Sequence, residues 1–211
     1  MPKKRNRAKR ELKPRLHIFC EGKETEPFYF RRYLEIYYPG IRLVSIPNIE
    51  ENTPVQLVKK AIEEKKKAPK GDLFWTVYDR ESEIKYSKKL HDQARKMAKK
   101  HDINIALSNV CFEVWILLHF TKDIAPYDNF DDLKRRSRLK EFIPKYGKSI
   151  KYPFSKKEMN AARIRASLIN KATQAGADSF WNQPHQWNPY TDVHKLLDAM
   201  DHFLAYVNSL D

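Results

Sequence analysis

The segment Leu16-His17-Ile18-Phe19-Cys20-Glu21-Gly22-Lys23-Glu24-Thr25-Glu26-Pro27 begins as a short apolar run and ends as the start of a helix. The run reads as a buried strand. It stops at Glu21-Gly22, and Thr25 to Pro27 open a helix with proline in the first turn, where its missing N–H is no loss. A carboxylate at the C-terminal tip of a strand, next to a glycine turn, stands where open α/β sheets place their ligands. A single turn acid is usually only solvated. This one has a counterpart, because Asp79-Arg80-Glu81 follows a second buried strand, Leu73 to Tyr78.

Outward from that segment, strands and helices alternate. Phe30, Tyr33, Leu34 and Tyr37 share one helical face, and Pro39-Gly40 end that helix. Residues 41–46 read as the second strand. Thr53-Pro54-Val55-Gln56 has the pattern of a capping box, followed by Val55, Val58, Ala61 and Ile62 on one face. The nearly continuous run from Leu73 to Tyr78 marks a strand covered on both sides. A third helix is expected to about Lys100, with Tyr86, Leu90, Ala94 and Met97 as its buried stripe. Ile103 to Leu107 makes a fourth strand. Phe112 to Phe120 is apolar around most of a helix and belongs deep in the core. This order implies right-handed crossovers and a parallel sheet sandwiched by helices.

From Lys122 onward only helices are expected. They are a charged helix from Asn129 to Phe142, one capped by Ser155 and Glu158 that ends near Gly176, and a last one capped by Asn188-Pro189 with help from Thr191. The organisation is then a basic arm over 1–15, an α/β core over 16–122 and a helical extension packed on it over 123–211. The length of 211 residues suffices for a substantial core, and the formal charge of +14 points to a polyanionic partner, nucleic acid above all. Residues 1–15 hold eight Lys and Arg against Glu11, a net +7, which reads as a disordered arm. No secretory h-region or membrane-length apolar run is present, and Cys20 and Cys111 form no metal-binding pattern, so a cytoplasmic protein with reduced thiols is expected.

The chemistry rests on carboxylates. Glu21, Asp79 and Glu81 can meet at one edge of a parallel sheet, since strands joined by crossovers need not be sequence neighbours to lie side by side. An extended backbone sends Asp79 and Glu81 to the same side. Three carboxylates together raise one another's pKa unless a cation neutralises them. Mg²⁺, or Mn²⁺, is the hard cation that suits such oxygens, and phosphodiester hydrolysis is the chemistry it serves.

Four blocks in this order resemble the RloB-like family. They are Cys20-Glu-Gly-Lys-Glu-Thr-Glu-Pro-Phe-Tyr-Phe30, Asp79-Arg-Glu81, Ser108-Asn-Val-Cys-Phe-Glu-Val-Trp-Ile-Leu-Leu-His-Phe120 and Asn188-Pro-Tyr-Thr-Asp-Val-His-Lys195. The third block is long and unusual in composition, hence specific. The resemblance implies a Toprim-like α/β fold, with a glutamate after the first strand and Asp-x-Asp after the third. It also implies an Mg²⁺-dependent nuclease of bacterial restriction-modification or anti-phage loci, with partner proteins of such systems. One departure is that Glu81 stands where the Toprim pair has Asp.

Further candidates have a bland alternative beside the functional one. Glu113 is the only charge in its apolar run and needs a partner, either a structural ion pair or backbone cap, or the metal site itself. Lys23, Arg80 and Lys195 are candidates for phosphate, though Arg80 also offsets the repulsion of its neighbours. Glu83 reads as an exposed helix-start acid. His194 is a candidate proton donor, whereas His119 reads as a satisfied core histidine. Trp181 and Trp187 flank a polar loop that suits base stacking or edge packing. The rival to a nuclease is a non-catalytic nucleic-acid-binding or effector subunit with the same fold. An enzyme acting on a small nucleotide is a third possibility.

Overall fold

A computed structural model describes residues 13–147 and 152–210. Most of the basic arm lies outside the described residues. Strand β1 (Leu16–Cys20) leads through Glu21-Gly22 into helix α1 (Thr25–Tyr37), as its sequence suggests. The second strand, β2, is only Val44–Ser45, because those two residues alone find partners on β1, at Leu16 and His17. Helix α2 (Pro54–Lys67) is capped by the Thr53 hydroxyl, which accepts from Gln56 N–H. Strand β3 (Leu73–Asp79) lies between β1 and β4 (Asn104–Asn109), parallel to both. Helix α3 (Lys88–Lys100) joins β3 to β4.

The strand order is β2-β1-β3-β4-β5, which is the α/β arrangement of a Toprim-like fold with one added edge. That edge, β5, is Tyr190–Thr191 and pairs antiparallel with Asn109 and Ser108. The part of the chain after Lys122 therefore supplies a strand as well as helices. Strand alternation explains the two-sided core. Ile18, Cys20, Trp75 and Val77 join one apolar cluster, while Phe19, Phe74 and Tyr78 join the other, under α2 and α3.

The first cluster gathers the remaining helices. In α4 (Glu113–Leu118) every residue is buried, which accounts for a run apolar on all sides. The expected helix over 129–142 is two helices, α5 (Phe130–Arg136) and α6 (Leu139–Phe142). Ser137 is extended between them, and its hydroxyl accepts from Leu139 N–H, capping the second. Helix α7 (Lys156–Ala175) has the expected capping box of Ser155 and Glu158. Helix α8 (Val193–Asn208) begins at Asp192 rather than at Asn188-Pro189, because β4 claims Tyr190 and Thr191 first. Asn188 instead donates to the Tyr127 carbonyl, while the Thr191 hydroxyl does accept from Val193 N–H.

Asp201 of α8 ties three helices together. It accepts from Tyr33 and Tyr38 hydroxyls at 2.6 and 2.7 Å and pairs with Arg163 at 2.6 Å. Among the described residues no helix is long and apolar enough to cross a membrane.

Candidate functional site

Because β1 and β3 run parallel with Cys20 opposite Val77, the turns that follow them emerge at one edge of the sheet. Glu21 N–H continues the ladder by donating to the Val77 carbonyl. Its carboxylate then folds over the end of β3, where Oε2 accepts from Asp79 N–H at 3.1 Å and Oε1 from the Tyr86 hydroxyl at 2.8 Å. Asp79 is the last residue of β3. Glu81 follows in a left-handed conformation, φ +55°, with its N–H donating to Val110 O. The backbone between the two acids is thus turned rather than extended. Left-handed backbone is unfavourable for a glutamate and is found where the surroundings impose it.

These turns enclose a cavity of about 450 Å³. Glu21, Asp79, Glu81 and Glu113 all line it, together with Lys23, Lys85, Tyr86 and Phe130. Two further acids line it, Glu24 in the turn before α1 and Glu26 in its first turn. The Glu26 side chain is the one that turns inward. The Glu26 carboxylate accepts from Gly22 N–H at 3.1 Å. A Cβ at residue 22 would lie 2.0 Å from that carboxylate, so glycine is what permits the approach. Glu113, at the start of α4, accepts from the Tyr146 hydroxyl at 2.6 Å and faces the cavity as well. It combines a satisfied hydrogen bond with membership of the cluster.

The crowding shows in the proton affinities. Burial pushes the Asp79 carboxyl well above the ordinary carboxylate range, and the charges of Glu26, Glu21, Glu113 and Glu81 push the same way. Burial raises Glu21 too, with Asp79 N–H and the Tyr86 hydroxyl opposing. Glu26 is pushed to about 7, chiefly by burial, with Glu113 and Glu21 adding. Lys85 is a cation inside this cluster, paired with Glu81. Burial disfavours its charge, but the bond to Glu81 and the nearby carboxylates outweigh that and raise its pKa.

Other sequence candidates lie elsewhere. Arg80 turns away from the cavity and donates to the carbonyls of His185, Tyr86 and Glu81, with Glu83 as its ion partner. Glu83 also caps α3 by accepting from Lys88 N–H. His194 and Lys195 line a separate cavity, and Lys195 is paired with Asp192. His119 is a satisfied core histidine, accepting from Tyr29 while its other nitrogen faces the Trp115 carbonyl.

Glu26, Lys85, Tyr86, Phe130 and Tyr146 escape the sequence reading. Glu26 looks like any helix-start acid. Tyr86 fits the apolar period of the next helix, yet α3 starts only at Lys88. The all-oxygen donor set matches a hard divalent cation rather than zinc or copper. Glu26 is turned to Gly22 and Glu81 to Lys85, and among the described residues no three such side chains are drawn together closely enough to hold a metal ion.

The family model described as RloB-like protein matches residues 16–200, most of the chain. No curated protein and no solved structure matches it.

Proposed function

Since the chain belongs to the RloB-like protein family, we propose that it is a divalent-metal-dependent nuclease whose centre is the carboxylate cavity. The observation that carries this is the convergence of Glu21, Asp79, Glu81 and Glu113 at the C-terminal edge of parallel strands, with Asp79 and Glu21 held above ordinary carboxylate pKa values. Glu21, Asp79 and Glu81 would hold Mg²⁺ or Mn²⁺. When bound, such a cation polarises a phosphoryl group and makes water a stronger nucleophile.

The chain's own groups have distinct tasks. Tyr86 and Asp79 N–H hold both oxygens of Glu21, so its carboxylate keeps one orientation. Glu26, with a pKa of about 7, holds a proton near neutrality and suits a general acid for the departing oxygen. Lys23 and Lys85 offer ammonium groups to the phosphate. The arm's positive charge would hold the nucleic-acid backbone without reading sequence. Membership of the family supports a place in bacterial anti-phage or restriction-linked defence with partner proteins. Two buried free cysteines fit a cytoplasmic setting.

Cleavage of mixed DNA and RNA substrates with Mg²⁺ or Mn²⁺ tests this. Glu21→Gln and Asp79→Asn should each lower the rate by roughly a hundredfold or more while unfolding midpoints hold or rise. Wild-type inactivity on every substrate, or unimpaired variants, would favour the second function. That alternative is a non-catalytic effector subunit, and the Glu81–Lys85 pair favours it because it neutralises a carboxylate internally.

A further inference from the structure

His194 and Lys195, which the fold keeps away from the carboxylates, line a second cavity of about 410 Å³ between α7, α8 and the loop before β5. Its chemistry is the reverse of the first. Arg95, Lys171 and Lys195 line it, and none of the described lining residues is acidic. Asp192 lies just behind, pairing with Lys195 at 2.7 Å, so a net positive charge remains. Among the described residues neither Arg95 nor Lys171 has a carboxylate partner, and Arg95 is steadied by donating to the Gln183 side chain at 3.1 Å.

The cavity is built rather than incidental. Asn170 grips Thr191 through both backbone groups, accepting from its N–H and donating to its carbonyl, which fixes the floor. His194 is 7% exposed and lines the cavity, yet its Nδ1 is buried without a hydrogen bond. Such a buried polar atom is costly unless something completes it, although the Thr191 carbonyl lies near enough to act on the ring's charge. One wall is aromatic, formed by Trp187 and Tyr190. The same loop carries Phe180 and Trp181, 84% and 54% exposed, immediately before the lining residues Asn182 and Gln183. Arg95, Gln183, Tyr190 and Lys195 also border a neighbouring cleft of mixed charge, lined by Lys96 and Lys99 and by Asp92 and Asp192.

We propose that this cavity is a second site, one that binds a nucleoside phosphate, with the phosphate against Arg95, Lys171 and Lys195 and the base against the aromatic loop. The volume suits a ligand of that size, and cations beside aromatic faces are the recognition chemistry of nucleotides, free or within a strand. The site does not depend on the carboxylates, so it stands whether or not the first cavity cleaves anything.

Calorimetry and tryptophan fluorescence with AMP, inorganic phosphate and a short single-stranded oligonucleotide test it. The proteins compared are wild type, Arg95→Ala/Lys171→Ala and Asp79→Asn, the double variant being confined to partly exposed side chains. AMP binding that weakens roughly tenfold or more in the double variant, but persists in Asp79→Asn, supports a free nucleotide as ligand. Binding of the oligonucleotide alone, with the same variant pattern, supports one unit of a strand. Overturning results are no binding of any probe, binding indifferent to the double variant, or phosphate binding as tightly as AMP.

Discussion

Lys85 and Glu26 set the charge balance of the carboxylate cavity. Lys85 already neutralises Glu81, so any divalent cation must compete with it there. Lys85→Met should therefore bind Mn²⁺ more tightly than wild type, by roughly tenfold in a calorimetric titration. Equal affinities would show that the ammonium is no competitor. Glu26 gives a pH signature whose sign follows from its raised pKa. Above about 4.5 the unfolded carboxyl ionises while the folded one keeps its proton until about 7, so folding loses stability as pH rises across that interval. His91 and His185 have pKa values depressed by burial to about 3 and 4, so they oppose this by losing stability as pH falls. Their contribution is common to wild type and Glu26→Gln. The variant should accordingly gain thermal stability over wild type as pH goes from about 4.5 to about 7, and a constant difference would reject the account. Glu21 and Asp79 are legible in sequence because each ends an apolar run. Lys85 and Tyr86 are not, since they lie in a short loop before α3 where Tyr86 happens to continue that helix's apolar spacing.

At the scale of elements, the strands and main helices are legible because burial imposes period two or three to four on their side chains. The misread boundaries fall where a local hydrogen bond or a distant strand competes with that pattern. Ser137 divides one helix by capping the next, and β4 captures Tyr190 and Thr191 from the helix that follows. Asp201 shows how much rests on one polar residue between elements, because α1 and α7 both reach it on α8. Asp201→Ala leaves two tyrosine hydroxyls without their acceptor and leaves Arg163 with Asp198 as its remaining carboxylate partner. It should lower unfolding stability by about 2–3 kcal/mol in urea titrations, given partial exposure. A loss below about 0.5 kcal/mol would mean that water replaces the carboxylate.

Across the whole molecule, the apolar cluster on one face of the sheet runs from Leu16 to Val207. The sequence division at residue 122 marks where the strand-helix alternation ends, while the sheet itself closes much later. A chain ending at residue 187 lacks β5 and α8, so it should unfold without a cooperative transition, as followed by circular dichroism during heating. Cooperative melting of that fragment would show that the earlier strands fold alone. Removal of residues 1–12 should leave melting unchanged while reducing the salt sensitivity of nucleic-acid binding, because fewer counterions are released.

The antiparallel strand β5 also sets a timetable for synthesis. Asn109 pairs with Tyr190, so 190 − 109 = 81 residues separate the two edges in the chain. At ribosomal speed that interval is on the order of 4–16 seconds, during which β4 has emerged with its outer edge unpaired. A nascent chain in that interval is open to pairing with another copy of itself. Slower elongation after Asn109 should therefore raise the aggregated fraction, and faster elongation there should lower it.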